Sequence, residues 1–337
     1  MAPVLVIGGA GYIGSHLLPM LLGQGHHPVV LDDLSRGRQQ SVTLHPKATL
    51  VQGSFGDRQQ VAMLLRAHDI AAIIQVSAWL DLEESWRQAD RFYELHLAHT
   101  LGLIEEAVRY RPQSPPPLLF GSSAAVFGEG SLDPLREEAD PVPASPLGRS
   151  LLAAEWLIRD VGRSCGLDTV ILRSFEVAGA DLRNGCGESH PHEHHLVPRA
   201  IRCARTQIPF PLYGNDFPTR DGTALRDLVH VNDVARAYGM ALNRLLAGGG
   251  SGLYHLGSGR GITVLEVLHL VERITAMKLP IELRPRRPGD AEALLADASL
   301  ASQELGWRPE HLELERIVAD AAAWDAHLHS DREWVYG

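Results

Sequence analysis

Cysteine is scarce: Cys165, Cys186 and Cys203 are the only three in 337 residues. Their spacing gives neither a pairing framework nor a thiolate metal motif, which suits a reducing compartment. No apolar run is long enough to cross a bilayer. Positive charge is in deficit, with 31 Lys and Arg against 41 Asp and Glu, and the formal charge of −10 argues against nucleic acid or an anionic membrane as the main partner. The first strand begins almost at Met1 and leaves no room for a signal peptide, so a cytoplasmic protein is expected. No internal repeat is found. Apolar content of 45% and charged content of 21% are ordinary, and the length suffices to bury a sizeable core.

The chain is organised around Gly8-Gly9-Ala10-Gly11-Tyr12-Ile13-Gly14. The apolar run Val4–Ile7 enters this cluster, and a helical pattern through Leu17, Leu18, Leu21 and Leu22 leaves it. Strand, tight turn and helix in that order aim free N–H groups at a phosphate. Gly9, Gly11 and Gly14 give the G-x-G-x-x-G spacing, two glycines for the turn and its approach to a pyrophosphate, the third for close helix–strand packing. A second strand, 27–31, ends in Asp32, roughly 20 residues past the turn, where a carboxylate accepts hydrogen bonds from an adenosine ribose. Asp32 favours NAD over NADP by repelling a 2′-phosphate; Arg36 and Arg38 argue the other way.

Further on, 51–54 reads as a strand end, 61–68 as a helix and Ala71–Val76 as a buried parallel strand. One long helix is expected from about 85 to 111, then a strand into Gly121-Ser122-Ser123, a loop over 129–146, a helix over 147–165 and a strand at 169–173. This alternation predicts an α/β fold, a doubly wound parallel sheet of the dinucleotide-binding Rossmann type. From about Glu176 the texture changes to loops and histidines, with a helix near 199–206, a loop-rich stretch over 216–226, a strand at 253–256 and two amphipathic stretches at the end. Thr263 and Glu266 form a capping box.

With these residues assembled, the sequence resembles the extended short-chain dehydrogenase/reductases, and within them the UDP-glucose 4-epimerases. The likeness runs from Gly8–His16 through Leu31–Gly37, Tyr213–Thr219, Asp221–Asp227, His230–Asp233 and Arg286–Asp290 to Asp297–Ser299 and Glu304–Trp307. It implies a dinucleotide-binding domain over 1–175 and 227–262 and a smaller nucleotide-sugar lobe over 176–226 and 263–337. It implies NAD held by Gly8, Gly11, Tyr12, Ile13, Gly14, Asp32 and Ser35. It also implies a UDP-sugar held by His195, Leu196, Arg226, Arg287 and Asp290, and a homodimer built on the helices near 90–110 and 147–164.

The same resemblance exposes what is missing. The family's chemistry uses a strand serine, here Ser123, and a Tyr-x-x-x-Lys pair whose tyrosine takes a sugar hydroxyl proton. A free phenol titrates near ~10, so the lysine is needed to make it a base at neutral pH. Here Leu147 and Leu151 occupy those positions, and leucine moves no proton. By periodicity alone, Leu147, Leu151, Ala154 and Ile158 are one apolar helix face. Leu95-His96-Leu97 stands where the family has Asn-Asn-Val, Ser54 follows Gly53 in place of an aspartate, Glu176 replaces an asparagine, and Leu294-Leu295 replaces an aromatic pair. Impaired or absent 4-epimerisation is expected, in a pseudoenzyme that binds, regulates or pairs with an active relative; the alternative is an enzyme with a substitute base, His96, His194 or His195. The run His190-Pro191-His192-Glu193-His194-His195 misses the H-E-x-x-H spacing, because Leu196 falls where the second histidine belongs, and no metal site is expected.

Overall fold

The computed structural model describes residues 2–76, 79–190 and 193–330. The first half alternates β1 (Pro3–Ile7), α1 (Tyr12–Gly23), β2 (His27–Asp32), α2 (Gln39–Thr43), β3 (Thr49–Gln52), α3 (Arg58–Ala67) and β4 (Ala72–Gln75). Helices α4 (Leu82–Arg87), α5 (Ala89–Tyr93) and α6 (Thr100–Tyr110) follow, then β5 (Leu118–Ser123), α7 (Pro146–Cys165) and β6 (Thr169–Ser174).

The second half begins with short strands β7 (Glu176–Ala178), β8 (Ala180–Asp181) and β9 (Cys186–Gly187), followed by α8 (Leu196–Thr206) and β10 (Phe210–Tyr213). Then come β11 (Leu225–His230), α9 (Val231–Leu246), β12 (Gly252–Leu256), β13 (Gly261–Thr263), α10 (Val264–Thr275), β14 (Ile281–Arg284) and β15 (Ala293–Leu294). Helices α11 (Ser299–Glu304) and α12 (Leu314–Ser330) close the described chain.

Seven parallel strands form the main sheet in the order β12-β6-β5-β4-β1-β2-β3. Side chains alternate across it, so one strand feeds two cores. Leu5 and Ile7 of β1 face a cluster with Leu64, Leu103, Leu151 and Ile158 from α3, α6 and α7. Val4 and Val6 face the opposite cluster, with Leu17, Leu21, Val234 and Tyr238 from α1 and α9. Helices thus cover both faces, as the sequence pattern requires. A third cluster joins Val197 and Ile201 of α8 to Val267 and Val271 of α10 and Ile317 and Val318 of α12.

One expectation fails. The single helix over 85–111 is interrupted twice. Gln88, at φ −135° and ψ 48°, leaves the helical region between α4 and α5. Residues Glu94–His99 then form a π-type turn, whose extra residue per turn swings His96 inward to meet Ser150 Oγ at 2.8 Å. Elsewhere the expected elements stand within a few residues, and α8 begins three residues earlier than expected, at Leu196. The capping box at Thr263 is reciprocal: Glu266 N donates to Thr263 Oγ1, and Thr263 N donates to Glu266 Oε2.

Candidate functional site

A cavity of about 340 Å³ opens along the C-terminal edge of the main sheet, where ligands of open α/β sheets bind. Its floor is the glycine turn. Gly8 sits at φ +79°, and a Cβ on Gly14 would lie 2.1 Å from Gly8 O, so neither position accepts a side chain without moving the turn. Gly11 is the N-cap of α1, and no side chain caps that helix, which leaves its first N–H groups directed at the cavity. Asp32, at the end of β2, accepts hydrogen bonds from Ala10 N and Leu34 N, both at 2.9 Å. Burial raises its pKa from the ordinary value, and those two hydrogen bonds oppose the shift. Gly8, Gly11, Tyr12, Ile13, Gly14, Asp32 and Ser35 all line the cavity, together with Gly53 and Ser54. An uncapped helix N-terminus, a glycine cradle and a carboxylate at the end of β2 fit a dinucleotide.

Arg36 is not free to take a 2′-phosphate, because it is ion-paired with Glu84 and stacked 4.7 Å from the centre of the Trp79 ring. Arg91 lies over the same indole at 5.2 Å, and Phe92 meets it edge-on. Arg38 lies 6.0 Å from the Trp324 ring. Trp79 lines the cavity and escaped the sequence reading, since a lone tryptophan in a loop carries no spacing signal.

At the other end, Ser123 ends β5 with its Oγ accepting from Ala125 N at 3.2 Å, and faces the cavity. Leu147 lines the same cavity and is 4% exposed. Leu151, one turn further along α7, is fully buried in the core and does not reach the cavity. His96 is also fully buried, and burial drives its pKa down to about 3. It does not line the cavity, which removes it as a substitute base. Beneath the serines, Ser122 Oγ donates to Glu155 at 2.6 Å, and Glu155 is paired with the buried Arg173. That network fixes the end of β5.

Arg226 on β11, Arg287 and Asp290 converge on the same cavity. Arg226 donates to the Leu225 and Ala291 carbonyls, and its enclosure lowers its pKa. Arg287 donates to Asp290 at 2.8 Å and to Glu83 at 3.2 Å, and lies over the Tyr213 ring at 4.2 Å. Burial works against its charge, but the bonds to Asp290 and Glu83 outweigh it and raise its pKa. Leu196 misses this cavity and lines a neighbouring one of about 370 Å³, which shares Glu176, His194, His195, Arg226, Arg287 and Asp290. Its N–H lies 3.5 Å from Glu176 Oε1.

The histidine segment folds over this end; Pro191 and His192 lie outside the described residues. Glu188, which the spacing did not single out, is buried beneath it and accepts hydrogen bonds from Nδ1 of both His190, at 3.0 Å, and His195. Burial opposes protonation of His190, yet the bonds to Glu188 and Glu193 lift its pKa to about 10. His195 is raised in the same way, with the Glu188 charge overriding burial. His194, its ring centre 4.1 Å from that of His195 and tilted 53° to it, is pushed down to about 3 by burial and by the His195 charge.

The sequence pattern described as the NAD dependent epimerase/dehydratase family matches residues 4–257. A UDP-glucose 4-epimerase of Azospirillum brasilense is 38% identical over 327 residues, 96% of this chain and 92% of its own. One from Rhizobium leguminosarum bv. trifolii is 38% identical over 98% of each chain. The structure of UDP-glucose 4-epimerase from Brucella ovis in complex with NAD superposes with a TM-score of 0.89 at 36% identity, covering 96% of this chain and 98% of that one. The glycine turn, Asp32, the seven-stranded sheet and this likeness along nearly the whole sequence agree: the chain belongs to the NAD dependent epimerase/dehydratase family, with UDP-glucose 4-epimerases as its relatives.

Proposed function

We propose that the chain binds NAD and a UDP-hexose in the cavity at the sheet edge, and that its UDP-glucose/UDP-galactose 4-epimerase activity is impaired or absent. Residues 1–175 and 227–262 supply the dinucleotide side, and 176–226 and 263–337 the sugar side. The α1 N-terminus and Asp32 hold the pyrophosphate and the adenosine ribose; Arg226 and Arg287 face the diphosphate. Bound NAD supplies the hydride acceptor and donor for chemistry at a sugar carbon.

One observation carries the reading: Leu147 lines the same cavity as Ser123, and the next turn of α7 brings the buried Leu151. Neither side chain holds a proton, and neither lowers a neighbour's pKa. The serine can donate a hydrogen bond, but it has no base to relay to along α7. The test is direct: the NAD content of purified protein, and its conversion of UDP-glucose to UDP-galactose. Bound NAD with turnover at background supports the proposal; brisk turnover overturns it.

A second reading has a specific support. His195 lines the cavity and is tied through Nδ1 to Glu188, a base oriented by a carboxylate. Turnover in the wild type that disappears in His195→Ala would favour an active enzyme with that base. A homodimer, or a heterodimer with an active relative, is supported by Trp86 and Trp156, 46% and 54% exposed on α4 and α7.

A further inference from the structure

The cluster under the histidine segment has a use of its own. Glu188 follows β9, His190 lies two residues on, and His195 is the N-cap of α8. One ligand atom from each residue lies within 4.8 Å of the others, and both imidazole Nδ1 atoms meet Glu188 Oε1. In a tetrahedral site with bonds of ~2.0–2.1 Å, ligand atoms stand roughly 3.3 Å apart. The three groups therefore close around an ion with small side-chain adjustments. Two imidazoles and one carboxylate are also a donor set that zinc takes when it keeps a fourth position open.

A second observation points the same way. Glu193 Oε2 is buried without a hydrogen-bond partner among the described residues, 3.5 Å from His190 Nδ1. A buried carboxylate oxygen left without a donor beside this cluster is an unsatisfied oxygen ligand at its edge. The supports are in place as well. Trp324 Nε1 donates to Glu188 O at 2.7 Å, and Glu193 Oε1 accepts from His190 N at 2.8 Å. Outer partners of this kind hold ligands in register. His190 and His195 both line the main cavity.

We propose that Glu188, His190 and His195 bind one divalent transition-metal ion, zinc by their donor set, with its open position toward the main cavity; the ion takes the place of the Nδ1 protons that the two imidazoles share with Glu188, and these are released to solvent. The site shares His195 with the proposed sugar side, but its ligand set is argued without that reading. The test uses the full chain, stripped with a chelator and titrated with Co2+ followed by its visible absorption, then with Zn2+ in competition. One equivalent of Co2+ should bind with the strong absorption of a four-coordinate site and be displaced by Zn2+. Glu188→Gln and His190→Ala should each weaken binding by at least about 100-fold, since loss of an outer partner alone costs ~10–100-fold. Absence of saturable binding overturns the proposal, leaving a hydrogen-bonded network in place of a metal site. Binding that persists undiminished in both variants also overturns it, as adventitious capture by other histidines. Thermal shift with UDP on the same samples shows that each variant is folded. Metal binding without a UDP shift would count against the nucleotide reading alone, and a UDP shift without metal binding against the metal site alone.

Discussion

At the residue scale, the proposed loss of activity rests on two leucines, which occupy different environments. Leu147 faces the cavity, whereas Leu151 is sealed in the core. General acid–base catalysis supplies ~10²–10⁴-fold, so 4-epimerase turnover of the wild type should sit near background. Leu147→Tyr alone should change little, because an unassisted phenol near ~10 stays protonated at pH 7. The pair Leu147→Tyr with Leu151→Lys should recover part of the activity. Leu151→Lys alone should cost on the order of 3 kcal/mol, since it buries an amine among Leu103, Ile158 and Phe120. Urea melts read the cost, and a coupled UDP-galactose assay reads the gain. A stable Leu151→Lys protein would show that this turn of α7 yields.

Buried histidines set the pH response at the same scale. Burial lowers His16 to about 4, His96 to about 3 and His255 to about 4. An unfolded histidine takes its proton near 6.5, so between that value and about 4 the unfolded chain binds more protons and stability falls as pH falls. Each such group contributes up to about 1.4 kcal/mol per pH unit. His190, raised to about 10, acts oppositely: its contribution is full below 6.5 and is lost as pH rises through 10. Urea midpoints should therefore drop between pH 7 and pH 5. His96→Asn should flatten that slope by one proton's worth; an unchanged slope would mean that His96 is charged in the folded protein.

At the scale of elements, the glycine turn and α1 form one device. Gly14 packs against Gly8 because the helix must start close to the strand it left. Gly14→Ala should cost about 1–3 kcal/mol through overpacking and weaken NAD binding in a fluorescence titration. NAD affinity equal to wild type would place the dinucleotide elsewhere. The histidine segment is held differently, by α12. Trp324 packs its indole where a Cβ on Gly187 would stand and donates to Glu188 O. A helix over a hundred residues downstream thus fixes the loop that carries Glu188, and no local pattern announces it.

For the whole molecule, ligand linkage is the measurable consequence. UDP at a hundredfold over its Kd should add about 2.7 kcal/mol of stability and raise Tm. Arg287→Ala should abolish that shift, because it removes the guanidinium between Asp290, Glu83 and the cavity. A shift that survives would move the diphosphate to other residues. Sedimentation at micromolar concentration should give a dimer, and Trp156→Glu should give a monomer; a wild-type monomer would count against the exposed tryptophans as an interface.

Local periodicity determined much of this protein. The continuous apolar run of β1 and the glycine turn after it specify a doubly wound sheet, because a central strand must bury both faces and Gly14 answers a contact with Gly8 in the same turn. The apolar face of α7 that carries Leu147 and Leu151 was likewise readable from its period, while their standing as missing catalytic groups rests on the family resemblance alone. Other features depend on contacts between distant segments, which residue spacing does not encode. Trp324 holds Glu188 O from 136 positions away, and Arg36 is taken up by Glu84 and Trp79 across 43 to 48 positions. His96 carries chemistry in the sequence and none at the cavity, because a π-type turn directs it into the core. The tertiary structure alone decided which of the charged and aromatic side chains face the ligand, since that choice is made by packing between elements far apart in the chain.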